Sequence, residues 1–132
     1  MEPEVVAQYA LALIANHFTE HGLNALWICS QLAISQQELN GAFAQNRRFD
    51  CDQIILNFRL CRLFEQITSQ PEIPLKQQVS SCGLGSIQDT DLHFRNCFGI
   101  ALRSFHDVSL RAAEDRRFRR SHPQRSSLII NE

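Results

Sequence analysis

The chain has 132 residues, 44% of them hydrophobic and 20% charged, and its formal net charge is −1. This length fits one domain, and the apolar content excludes a disordered chain. The near-neutral charge excludes a nucleic-acid footprint spread over the whole surface. The apolar stretches are too short to span a bilayer, and the N-terminus lacks the basic start of a signal peptide, so we expect a cytoplasmic protein without membrane contact.

In chain order, helical periodicity and helix-end signals predict an all-α fold of about seven helices. Pro3 suits the first turn of a helix, and Ser35 and Ser86 each precede an acidic residue by three positions, as in a capping box. No run of strict apolar alternation predicts a strand. The predicted helices are 3–21, 25–32, 36–46, 51–69, 74–81, 86–97 and 101–118.

The helix predicted over 51–69 is apolar on most sides. A helix of this kind is normally buried between other elements, so we expect it to link two halves of the domain and to pack on both. Arg59 lies on this helix and should make structural hydrogen bonds between the halves, because an arginine among apolar residues needs polar partners.

Cysteine usage argues against a disulfide framework and against a zinc finger, because the five cysteines are odd in number and none forms a Cys-x-x-Cys pair. We expect small buried thiols in a reducing compartment, with no metal and no cofactor. His93 and Cys97 are four residues apart on one helix, but no third ligand is near in sequence. A redox sensor at Cys51 or Cys61 is disfavoured because both positions are expected to be buried.

Residues 28–43 and 78–94 form an internal repeat. Each copy consists of a short helix, a tight turn, a capping serine and a second helix that ends in phenylalanine, which is the outline of a helix-turn-helix. One copy alone would be a generic helical hairpin, but two copies in the same order are more specific. The equivalent positions are Cys29 and Val79, Ala33 and Gly83, Leu39 and Thr90, and Phe43 and Phe94.

A set of residues from Leu23 to about His106 falls in a pattern that runs through both units and the linker between them. These residues are Leu23, Ile28, Leu32, Ile34, Ser35, Leu39 and Phe43 in the first unit, Ile55, Arg59 and Leu60 in the linker, and Leu75, Val79, Gly83, Phe94, Phe98, Gly99 and Phe105 in the second unit. On these residues the stretch resembles the DNA-binding domain of AraC/XylS-type transcription regulators. It departs from the family's pattern in Thr90 at a usually aromatic position, Gln78 at a usually aliphatic one, and Ala101-Leu102 in place of Thr-Pro.

The resemblance implies a double helix-turn-helix domain over residues 1–120, followed by a flexible tail at 121–132. Within the domain the first unit spans about 23–47, the linker helix about 51–69 and the second unit about 74–99. Two recognition helices would then enter successive major-groove segments about 34 Å apart without a dimer. We therefore expect a monomeric regulator of the stand-alone kind, which has no ligand-sensing domain. The alternative is a detached or truncated form of a longer regulator.

Family members read bases from the exposed face of the second helix of each unit. Gly41 and Leu92 stand where basic residues are common, and Asp89 and Asp91 would oppose binding to phosphates. The asparagine and glutamine residues on these exposed faces can pair with adenine, since both side chains bind its major-groove edge. The predicted base-contacting residues are Gln36, Gln37, Asn40 and Gln88, and the predicted phosphate-contacting residues are Arg47, Arg48, Arg95, Arg116 and Arg117.

Two hypotheses about function remain open. The first is a sequence-specific regulator that binds double-stranded DNA. The second is a protein that has kept the fold but lost DNA binding, and that acts as a co-regulator or antagonist through contacts with RNA polymerase or another regulator. The Arg-rich segment 111–125 and the polar face of the first recognition helix favour DNA. An enzyme is not expected, because the sequence has no Gly-rich phosphate loop, His-Glu-x-x-His motif or nucleophile elbow.

Overall fold

The computed structural model of the protein describes residues 2–44 and 50–121. This part of the chain forms seven α-helices and contains no strand, which confirms the predicted fold class. None of these helices combines the length and the apolar character that a bilayer crossing requires. The helices are α1 (Pro3–His17), α2 (Ala25–Leu32), α3 (Gln36–Ala44), α4 (Cys51–Ser69), α5 (Leu75–Ser81), α6 (Ile87–Phe98) and α7 (Leu102–Ser121).

The helix boundaries differ from the predicted ones mainly at two C-termini. α1 ends at His17 instead of residue 21, because the chain turns through two backbone hydrogen bonds, from Glu20 N to His17 O at 3.0 Å and from Leu23 N to Glu20 O at 3.1 Å. α7 continues to Ser121, beyond its predicted end at 118. The predicted last turn of the 36–46 helix and the tail after residue 121 lie outside the described residues.

Helix α4 carries the core of both halves, as its apolar sequence predicts. Its first two turns pack against a cluster of buried side chains from α1, α2 and α3. The remaining turns pack against a second cluster that α5, α6 and α7 complete. The buried α4 residues are Cys51, Ile54 and Ile55 in the first cluster and Leu60, Leu63 and Ile67 in the second.

Arg59 of α4 fixes the turn after α1, which confirms its predicted structural role. Its Nε donates to Phe18 O at 2.9 Å and its Nη2 donates to Glu20 O at 2.7 Å. Burial lowers the pKa of the guanidinium, since desolvation disfavours its charged form. Gly83 of the second half lies against the same atoms, because a Cβ there would stand 2.1 Å from Phe18 O and 2.9 Å from Arg59 Nε. The two halves therefore meet at this carbonyl and this guanidinium.

The two polar departures in the second half are both buried. Gln78 is fully buried, and its Nε2 donates to Gln70 O at 3.1 Å and to Ile73 O at 2.9 Å. These bonds hold the turn between α4 and α5, because the Gln78 amide joins Ile73 O to Gln70 O, which also accepts from Ile73 N at 3.3 Å. Thr90 occupies a core position of α6 with 2% of its surface exposed. The second half thus keeps its outline with a more polar interior.

The expectation that all the cysteines are buried is wrong for Cys61 and Cys97, which are exposed. Cys61 lies on the outer side of α4, beside the exposed Arg62. Cys97, near the end of α6, is exposed at the margin between α6 and α4, where its Sγ donates to Asn57 Oδ1 at 3.8 Å. Cys29, Cys51 and Cys82 are buried as predicted. Burial raises the pKa of all three thiols, and raises that of Cys51 to about 12.

Candidate nucleic-acid interface

The two turns of the repeat share one backbone design. Ala33 and Gly83 follow the first helix of their units and both adopt left-handed backbone conformations, with φ of 54° and 80°. The next residue then donates back to the helix, from Ile34 N to Cys29 O at 3.1 Å and from Leu84 N to Val79 O at 3.2 Å. Each bond joins residues five positions apart, and the second bond lies 50 residues after the first, so the structure confirms the repeat at the level of the backbone.

A serine begins the second helix of each unit. Ser35 Oγ accepts from Glu38 N at 3.1 Å, and Ser86 Oγ accepts from Asp89 N at 3.1 Å. Both bonds satisfy an amide that the first turn of a helix leaves unpaired. Gly85 makes the second turn one residue longer, which accounts for the change in offset from 50 to 51 residues.

Helix α3 separates its apolar and polar sides cleanly. Leu39, Ala42 and Phe43 point into the first core cluster. The predicted base-contacting residues Gln36, Gln37 and Asn40 are all exposed. Gly41 shares this outer face, and a Cβ placed there would meet nothing within 4 Å. The face is thus an uncharged surface of amides around an open glycine.

Helix α6 repeats this arrangement 51 residues later. Thr90 and Phe94 point inward, while Gln88 and Leu92 lie one turn apart on the exposed side. Gln88 stands at the position equivalent to Gln37, and Leu92 at the position equivalent to Gly41. Leu92 is 62% exposed, so it contributes little to the core.

The sequence alone suggested that Asp91 faces away from the protein. In the structure it faces α7 instead. Its Oδ1 accepts from Leu102 N at 2.8 Å, at the first residue of α7, and its Oδ2 lies 3.3 Å from Arg95 Nε. A carboxylate is stabilised at a helix N-terminus by the unpaired amides and by the helix dipole. Asp91 therefore fastens α6 to α7, and its charge is partly compensated within the fold. Asp89 remains exposed on α6.

The predicted phosphate-contacting arginines have different surroundings. Arg95 is on the surface of α6, where it is paired with Asp91. Arg116 and Arg117 are exposed on α7. Arg47 and Arg48 lie outside the described residues.

The arginines in the C-terminal half of α7 lie on two different sides of the helix. On one side, Arg111 pairs with Asp107 at 3.1 Å and Arg119 pairs with Asp115 at 3.2 Å. The other side forms a groove against the end of α4 and the turn that follows it. This groove is lined by Arg116, Arg117, Arg120, Ala113, Ser69, Pro71 and Glu72. Three arginines face one acidic residue there, so positive charge prevails in the groove.

Two basic residues that the sequence did not single out lie near the start of α6. Lys76 of α5 and Arg103 of α7 line a groove together with Ile87, and Arg103 also lines an adjoining groove with Gln88. Lys76 is the only lysine of the chain, and Arg103 is the second residue of α7. Both lie in the first turn of their helices, and the folded chain brings these two helix starts beside α6. Their convergence depends on tertiary packing and was not visible in the sequence.

Comparison with known proteins supports the fold and goes no further. No protein-family model matches the chain, and no curated protein matches it either. Among solved structures, the C-terminal domain of AraT, a response regulator from Geobacillus stearothermophilus, is similar with a TM-score of 0.71 and 16% sequence identity, over 78% of this chain and 84% of that one. A DNA-binding transcriptional dual regulator from Escherichia coli K-12 is similar with a TM-score of 0.66 and 20% identity, over 84% of this chain and 96% of that one.

Proposed function

We propose that the protein is a transcription regulator of the AraC/XylS type that binds double-stranded DNA through two helix-turn-helix units. The observation that carries this proposal is the repeat itself. Both units share the backbone bond across the turn and the serine cap, and both place a glutamine at the same exposed position of the second helix, Gln37 and Gln88. The fold shared with a DNA-binding transcriptional dual regulator supports the same conclusion.

In this proposal α3 and α6 are the recognition helices. Gln36, Gln37 and Asn40 contact bases from α3, and Gln88 does so from α6, because amide side chains match the paired donor and acceptor of adenine. The first unit carries most of the base reading, since its exposed face holds three of these four amides. The protein acts as a monomer, because one chain already supplies both recognition helices.

Phosphate contacts come from the basic residues around the second unit. Lys76 and Arg103 flank the start of α6. Arg95 can exchange Asp91 for a phosphate, because a surface ion pair contributes about 1 kcal/mol or less. Arg116 and Arg117 line a groove beside the α4–α5 turn, and the loop that precedes a helix-turn-helix contacts the DNA backbone in homeodomains. We also assign Arg47 and Arg48 to phosphates, on their position after α3 in the sequence.

The test is binding of the full chain to duplex DNA between about 50 and 200 mM salt, since each phosphate contact adds about 0.9 to the slope of log affinity against log salt. Wild type is compared with Lys76→Ala, Arg103→Ala and Arg116→Ala. Each is expected to weaken binding to all sequences and to lower the slope by about 1. Arg62→Ala is the matched control, because it removes one positive charge from the outer side of α4, where Arg62 pairs with Glu65 at 3.1 Å.

Absence of binding at low salt by folded protein would refute the proposal. That result would favour the alternative, a DNA-silent protein that contacts RNA polymerase or another regulator, for which the exposed Leu92 and Asp89 of α6 would be the first surface to test. Equal losses in Arg62→Ala and in the three test variants would show a nonspecific charge effect and would remove Lys76, Arg103 and Arg116 from the interface.

A further inference from the structure

The exposed face of α6 presents an apolar side chain between amides. Gln88, Leu92 and Asn96 follow one another at four-residue spacing on the side opposite Thr90 and Phe94. All three are exposed, and Leu92 is 62% exposed. A single exposed leucine is ordinary on a protein surface. Leu92 is notable for its position, because it lies at the centre of the α6 face that would contact the major groove in the proposed function.

Three charged side chains of α6 border this face. Asp89 is exposed directly after Gln88 in the sequence, while Asp91 and Arg95 lie 3.3 Å apart as an ion pair. Asp91 could accept a hydrogen bond from cytosine, but its carboxylate is committed to Leu102 N and to Arg95. Arg95 is the only arginine of α6, and it pairs with that carboxylate in a groove that Gln88 and Arg103 also line. The middle of the face therefore carries an amide and an apolar group, and its one arginine is paired at the edge.

The two available groups match the two bases of one kind of pair. A glutamine can bond to N6 and N7 of adenine, and the C5-methyl of thymine is the apolar feature of the major-groove edge. Guanine and cytosine present only polar groups there, and a leucine side chain would desolvate these without providing a partner. On α3, Gln37, Asn40 and Gly41 offer amides and an open space, again without a guanine reader.

Resting on the proposed function, we infer that the target is read through A·T pairs in both segments, and that Leu92 is a specificity residue that contacts the C5-methyl group of a thymine next to a base pair contacted by Gln88. The second helix-turn-helix unit then contacts bases, and not only the phosphate backbone of the DNA.

The experiment begins with selection of bound duplexes from a random library by the full chain. The selected thymines are then replaced one at a time by deoxyuridine, which removes only the methyl group. At one position of the second segment we expect wild-type affinity to fall about four-fold, the equivalent of one buried methylene-sized group. Leu92→Ala is expected to weaken binding to the thymine duplex and to be indifferent to uridine at that position. Gln88→Ala is expected to lower the preference for adenine about ten-fold or more.

Val108→Ala is the control, because Val108 is 57% exposed on α7 and belongs to neither recognition helix. It should bind thymine and uridine duplexes as wild type does. Uridine sensitivity that is the same in wild type and Leu92→Ala at every position would overturn the inference while leaving DNA binding intact. Selection of G·C pairs in the second segment would overturn it too. Failure to enrich any duplex at low salt would instead refute the proposed function on which the inference rests.

Discussion

The turns of the two units make the same backbone bond under different constraints. Ala33 and Gly83 have the same left-handed conformation, yet the side chain of Ala33 is exposed whereas Gly83 is buried. At Gly83 a Cβ would stand 2.1 Å from Phe18 O, so the neighbouring half of the protein, and not the turn, forbids a side chain. A turn of this kind therefore accepts a residue other than glycine until another element packs against it. Substitutions at the two turns can separate the local requirement from the tertiary one.

The largest expected effect is that of Gly83→Ala. It combines the cost of a left-handed alanine, about 1–2 kcal/mol, with overlap against a backbone carbonyl and Arg59 Nε that requires the two halves to move apart. We expect a loss of more than about 3 kcal/mol in the free energy of unfolding, measured by chemical denaturation.

Gly99→Ala is the control for this substitution. Gly99 has φ of 73° at the end of α6, and a Cβ there would meet nothing within 4 Å, so only the conformational cost of about 1–2 kcal/mol applies. If the two variants lose equal stability, close packing at Gly83 is not what sets its identity.

Arg59→Met tests the other partner at this junction. The substitution keeps most of the apolar stem and removes two charged donors, so Phe18 O and Glu20 O lose their hydrogen bonds. We expect a loss of about 2–3 kcal/mol in denaturant unfolding. Arg62→Met on the same helix should cost less than about 1 kcal/mol, because Arg62 is exposed and pairs only with Glu65 and the ring of Phe18. Similar losses for both would mean that the two bonds of Arg59 contribute nothing special.

A smaller effect is expected where the units differ in their cores. Ile28 and Gln78 are equivalent and both fully buried, but only Gln78 donates to two carbonyls of a neighbouring turn. Its Oε1 has no partner in the described structure, which offsets part of the gain. We expect Gln78→Leu to lower the free energy of unfolding by about 1–2 kcal/mol. A gain in stability would show instead that the unpaired oxygen costs more than the two bonds contribute.

The repeat, the serine caps and the central helix could be predicted from the sequence because each depends on residues a few positions apart. Ser86 with Asp89 is one example, and the apolar periodicity of α4 is another. What could not be predicted depends on contacts distant in sequence. Asp91 becomes the cap of α7 only because Gly99 turns the chain back across α6. Gln78 was interpreted as a departure that weakens the core, because the carbonyls to which it donates belong to the preceding turn and could not be identified from the sequence.

The candidate site shows the same limit. The exposed amides of α3 and α6 follow directly from helical periodicity, and the structure places them on the outer faces as expected. Lys76 and Arg103 were missed because α5 and α7 meet near the start of α6 only in the folded chain. The exposure of Cys61 was missed because α4 is apolar on most sides, so that its single outward stripe is hard to locate from sequence.

The smallest expected effect is that of Ala33→Gly, which gives the first turn the residue of the second. Two effects oppose each other. Removing the strain of a left-handed alanine stabilises the folded state by about 1–2 kcal/mol, whereas the greater chain entropy of glycine stabilises the unfolded state by about 0.5–1 kcal/mol. The net expectation is a gain of about 0.5–1 kcal/mol in the free energy of unfolding. Ala112→Gly, at an exposed position inside α7, should lower the free energy of unfolding by about 1 kcal/mol, because only the chain entropy of glycine acts there. Opposite signs for the two alanines would show that the first turn has kept a strained residue because no neighbour packs closely enough to demand glycine, and equal losses would show that Ala33 is not strained.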